Sequence, residues 1–130
     1  MLEKPRRKLD RLKRQPSERL WDELIAEMEN LASQVRDIEG LRSLQELVDE
    51  AAVEWYDQRP KEEKDRWFQE PRHSELWDRI QQLMARKPEA RHERLALYAE
   101  LAELLQADEE TWPPQERRLV ELQTQLQHRV

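Results

Sequence analysis

SERLWDELIAEMENLASQVRDIEGLRSLQELVDEAAVEWY, Ser17 to Tyr56, carries two apolar stripes at helical spacing on either side of the only glycine in the chain. Leu20, Leu24, Met28, Leu31, Val35 and Ile38 recur every three or four residues, the period that places side chains on one face of an α-helix. Ser17 stands where an N-cap hydroxyl accepts from the first turn. Gly40 is the expected stop, because a glycine at C′ enters the left-handed region without a Cβ penalty and lets Leu41 fold back on Val35 or the stem of Arg36. Ser43 and Glu46 then read as a capping box for a helix bearing Leu44, Leu47, Val48, Ala51, Ala52 and Trp55. The stretch is read as a helical hairpin with helices over about 17–39 and 43–58.

Working outward, prolines punctuate the rest. Pro60 suits the first position of a short helix over about 60–69, with Glu62 and Glu63 complementing its dipole and Pro71 closing it. A helix over about 73–86 turns Trp77, Ile80, Leu83 and Met84 inward, and Pro88 follows. His92, Leu95, Ala99, Ala102 and Leu105, widened by Leu97, Leu101 and Leu104, predict a helix over about 89–107. Trp112-Pro113-Pro114 opens a last helix over about 114–129 with Leu119, Leu122 and Leu126. With one Gly, seven Pro and short connections, the chain reads as all-α: an antiparallel bundle or stacked α-hairpins of about six helices, with no sheet. LWDELIAEM from Leu20 and LWDRIQQLM from Leu76 echo each other 56 positions apart, but the match dies where Ala32 meets Pro88, so packing explains it without a repeat.

The chain of 130 residues fits one domain, 17–130, preceded by a basic segment, 1–16, read as a flexible arm. A charged fraction of 40% exceeds the usual ~25% and implies a thin core or one completed by another chain. Five Trp residues and a net charge of only −6 argue against a solvated coil. The absence of Cys removes disulfides, thiolate zinc sites and Cys nucleophiles, and fits a reducing compartment. The longest apolar run, Leu95 to Ala99, is far short of the roughly 20 residues a bilayer span needs, and residues 1–16 carry no signal-peptide core. The expectation is a cytoplasmic protein without membrane attachment.

Candidates for chemistry are few. Glu70-Pro-Arg-His73 and Glu89-Ala-Arg-His92 each read Glu-x-x-His, which resembles the half-site of di-iron carboxylate bundles. Pro71 interrupts the first pair and Pro88 leaves Glu89 in an opening turn, so no metal or other cofactor is expected. Arg86 and His92 have the separation found in the helical ribonucleases called HEPN domains, a resemblance that covers two residues and implies RNA cleavage. It departs at Pro88, where that family keeps a turning helix, and at Lys87, where it keeps a polar residue. The chain is therefore read as non-enzymatic.

Binding candidates are stronger. Arg6, Arg7, Lys8, Arg11, Lys13 and Arg14, together with Lys4, give residues 1–15 a charge of +5 against −11 for the remainder. Such a segment can neutralise phosphates or tether an acidic protein face. Trp21 and Trp77 sit beside the leucines that lead their stripes, at the edge of the buried face, while Trp67, Phe68 and Trp112 flank chain turns. Trp and Arg dominate protein interfaces. The function expected is a helical protein-interaction module, an adaptor or assembly subunit that binds its own or another chain. The alternative is a nucleic-acid-associated subunit that holds phosphate through residues 1–15.

Overall fold

The computed structural model describes residues 2–63, 71–86, 89–107 and 113–129, and within them the chain is helical with no strand. Six helices run in order: α1 Glu3–Arg14, α2 Glu18–Gln34, α3 Ile38–Asp57, α4 Pro71–Met84, α5 Arg91–Ala107 and α6 Pro114–Arg129. Residues 61–63 are also helical; the rest of the helix expected over 60–69 lies outside the described residues. Among the described residues no helix is long and apolar enough to cross a membrane.

The first departure from the sequence reading is the N-terminal segment. In place of a flexible arm there is a helix, α1, whose Pro5, Leu9 and Leu12 are buried. Their spacing of four and three makes one stripe, which Leu2 extends against the core. Seven cations around that stripe hide it from any reading based on composition. Pro5 is tolerated because it lies in the first turn, where its missing N–H has no intrahelical partner to lose.

The second departure lies at the α2–α3 junction. α2 is capped by Ser17, whose hydroxyl accepts from Leu20 N at 3.3 Å, as expected. It stops at Gln34, however, and Gly40 is not its cap: no residue of the described chain has positive φ. Asp37, in an extended conformation, N-caps α3 by accepting from Gly40 N at 2.9 Å. Gly40 is useful there for lacking a side chain, since a Cβ would meet Asp37 Oδ1 and Val35 Cγ1, each at 2.9 Å. The carbonyls left open at the end of α2, those of Ala32 and Val35, accept from the Arg129 guanidinium of α6. That tertiary cap cannot be read from local sequence. Ser43 falls inside α3 and is exposed. Asp37→Ala should therefore cost about 1 kcal/mol of stability and Ser43→Ala within about 0.5 kcal/mol of nothing, measured by urea unfolding. The reverse order would restore Ser43 as the helix start.

Pro71 is the first described residue of α4, and whether it also closes the helix expected over 60–69 lies outside the described residues. Helices pack in a connected set: α1 against α2 and α3, α4 against α5, and α6 against α2, α3 and α5. The sixth helix is the hub. Eight of its residues are buried, including Gln115, Glu116, Gln123 and Gln127, so it is enclosed on several sides and not amphipathic in the simple sense. α5 turns a different face inward than its apolar pattern predicts. Arg94, Tyr98, Leu101 and Leu105 are buried, whereas His92 and Ala99 are exposed. One residue's rotation, about 100°, separates the two faces. It is set by polar partners in the interior, described next.

Candidate functional site

Three indoles fill the centre of the molecule, and each has its N–H satisfied. Trp21 Nε1 donates to Gln58 Oε1 at 3.0 Å, Trp55 Nε1 to Gln115 Oε1 at 3.2 Å, and Trp77 Nε1 to Glu116 Oε1 at 2.7 Å. Burying an indole without such an acceptor would forfeit its hydrogen bond to water. Trp21 and Trp77, expected at the edge of the buried face, are instead 1% exposed each. The two echoing stretches thus do share a packing role, with Leu24 and Ile80 both fully buried. Trp67, Phe68 and Trp112 lie outside the described residues.

Two polar clusters hold the helices in register. In one, Arg94 Nη2 donates to Asp49 Oδ2 at 2.7 Å, and Gln123 Nε2 reaches Asp49 Oδ1 and the Tyr98 hydroxyl, each at 3.0 Å. This links α3, α5 and α6. Burial, and next the Asp49 charge, raise the Tyr98 hydroxyl far above its ordinary pKa, so it stays protonated. In the other, Glu116 Oε1 lies 2.9 Å from His73 Nε2 as well as accepting from Trp77. Tyr56 stacks at a tilt on Trp77 with ring centroids 5.3 Å apart, closing α3 onto α4. Both clusters are buried and account for Asp49, Arg94, Gln123, His73 and Glu116 among the polar residues the helices turn inward. They order the core.

The residues of the metal and ribonuclease resemblances fall as follows. His73 is spent on Glu116, while Glu70 lies outside the described residues. Glu89, His92 and Arg86 are exposed, and residues 87 and 88 between them are likewise not described. Among the described residues no group of three or more His, Asp or Glu could hold a metal ion.

On the outside of α1 the cations sort by helical angle. With Pro5, Leu9 and Leu12 facing in, Lys4 and Lys8 fall on one flank and Arg6 and Lys13 on the other. Lys8 pairs with Glu27 and lies 3.7 Å from Glu23, and Lys4 reaches Glu27 at 3.6 Å, all on α2. Arg6 pairs with Glu50 of α3, which Lys13 approaches at 3.9 Å. Gln58 ties down the end of the helix by donating to Leu12 O at 2.7 Å. These contacts fix the rotation of α1 on the bundle. Arg7, Arg11 and Arg14, at spacings of four and three, then form the outer ridge. All three are exposed and none is in an ion pair among the described residues. Glu3 and Asp10, the acids of α1, are exposed beside the ridge without pairing to it.

Of the six phosphate-contact candidates read from sequence, then, Arg6, Lys8 and Lys13 are engaged with the chain's own acids, and Arg7, Arg11 and Arg14 are not. The three left unengaged are all arginines, whose planar fork offers paired hydrogen-bond donors where lysine offers a point charge. At the C-terminal end of the ridge a cleft of about 450 Å³ opens at the α1–α2 turn, lined by Arg11, Pro16, Ser17, Arg19, Leu20 and Glu23. Sequence reasoning missed Arg19 because it lies beyond the basic run.

The fold and surface together define an all-α bundle with a polar-pinned interior and one unneutralised arginine ridge. Comparison with known protein families, curated proteins and solved structures finds no match to this chain.

Proposed function

We propose that the chain is a non-enzymatic, cytoplasmic protein-interaction module that uses the outer ridge of α1 to bind an acidic surface of another protein. The observation that carries the reading is the selective neutralisation of α1: Lys4, Arg6, Lys8 and Lys13 find acids on α2 and α3, while Arg7, Arg11 and Arg14 are held outward. An apolar docking face is a poorer basis, since among the described residues Ile38 is the one large hydrophobic side chain left exposed. Charge complementarity of this kind governs encounter and register more than raw affinity. A protein partner suits the ridge better than nucleic acid because the molecule as a whole carries −6, a field that opposes a long polyanion but leaves a local arginine–carboxylate match intact.

The test is fluorescence anisotropy with a fluorescein-labelled decaglutamate peptide and a mixed-sequence 20-base-pair DNA duplex at equal salt. Decaglutamate should bind the wild type, and replacing Arg7, Arg11 and Arg14 together with Gln should weaken it by about tenfold or more, with a shallower salt dependence. Tighter binding of the duplex, lost in the same variant, would transfer the ridge to phosphate and make the chain a nucleic-acid-associated subunit. Binding to neither probe would overturn the reading.

A further inference from the structure

The cleft at the α1–α2 turn shares Arg11 with the ridge, and the geometry points to it as the seat for one carboxylate side chain of an acidic protein segment lying along Arg7, Arg11 and Arg14. This rests on the ridge being a protein-binding surface. Several features of the cleft select a carboxylate. Arg11, Arg19 and Glu23 line it, and Arg19 pairs with Glu23 along α2 at 3.5 Å, so the three together leave one positive charge, the complement of a monoanion. A phosphate carrying close to two negative charges would add repulsion from Glu23. Glu23 is also fixed in place, with Arg19 Nε at 3.5 Å and Lys8 Nζ at 3.7 Å. Ser17 Oγ accepts from Leu20 N, so its own hydroxyl proton remains to be donated into the cleft. Pro16 and Leu20 supply an apolar wall that the methylenes of a glutamate side chain can cover.

The volume, about 450 Å³, is ample for one side chain and part of its backbone, and too small for a folded element. The ridge would supply long-range attraction and the cleft the register, since a carboxylate seated between Arg11, Arg19 and Ser17 fixes where along the ridge the segment lies. Arg19 is the residue that separates the two roles. It lies on α2, outside the ridge, and its side chain is 91% exposed, so Arg19→Gln should leave the fold intact.

The experiment titrates labelled decaglutamate into the wild type, Arg19→Gln, and an Arg7→Gln/Arg14→Gln variant, with far-UV circular dichroism confirming that each is folded. Arg19→Gln should weaken binding by about tenfold, comparable to the loss of one charge-assisted contact. Loss in Arg7→Gln/Arg14→Gln with Arg19→Gln unchanged within twofold would overturn the seat and leave the ridge reading standing. No loss in either variant, or no binding by the wild type, would remove both. A decapeptide carrying a single phosphoserine among neutral residues, bound more tightly than decaglutamate and dependent on Arg19, would overturn the carboxylate assignment in favour of phosphate.

Discussion

Asp49→Ala should lower the free energy of unfolding by about 3–5 kcal/mol, seen as a reduced urea midpoint with an unchanged slope. The magnitude follows from what is left behind. Arg94 is 1% exposed and its guanidinium has its charge partner in Asp49 at 2.7 Å, so truncating the acid strands a cation in the interior. Gln123 and Tyr98 lose an acceptor at the same time. The control is the pair: Asp49→Leu with Arg94→Met removes both charges and should recover most of the loss, because a buried ion pair is worth little more than well-packed apolar atoms of similar volume. A single variant that loses less than about 1 kcal/mol would mean that Arg94 reaches water when Asp49 is gone.

Leu9→Ala should cost about 2–5 kcal/mol, and a chain that begins at Ser17 should be destabilised at least as much. A flexible arm would make both changes neutral. Leu9 and Leu12 are fully buried, and Gln58 joins the Leu12 carbonyl to the Trp21 indole, so α1 is part of the core it covers. The same substitution should also weaken decaglutamate binding, since arginines on a frayed helix lose their alignment. Measuring both in one variant separates a helix that merely carries charge from one that presents it.

The fold class is legible in the sequence for a simple reason: helices tolerate a chain with one glycine, and three-and-four spacing survives in every segment that forms one. Boundaries are legible where the cap is local, as at Ser17 and Pro114. They are hidden where it is tertiary, as at Val35, whose carbonyl is taken by Arg129 from the far end of the chain. The inward face of α5 is misread because Leu95, Ala99 and Ala102 outweigh Arg94 on any hydropathy scale, while the structure weighs Arg94 by its pairing with Asp49. The basic surface of α1 was legible as a set of cations and no further. Which of them remain available depends on Glu23, Glu27 and Glu50, acids that no local pattern assigns to residues near the start of the chain.

The placement of the polar partners also bears on the order in which the molecule can be made. Gln115, Glu116 and Gln123 all belong to α6, so during synthesis the Trp55 and Trp77 indoles and Asp49 Oδ1 must wait for the last described helix before their hydrogen bonds to it close. Until then α2, α3 and α5 have no sixth helix to pack against. A ribosome-bound chain that stops short of Pro114 should therefore fluoresce as a loosened state, with the change to the native tryptophan spectrum arriving only as α6 emerges.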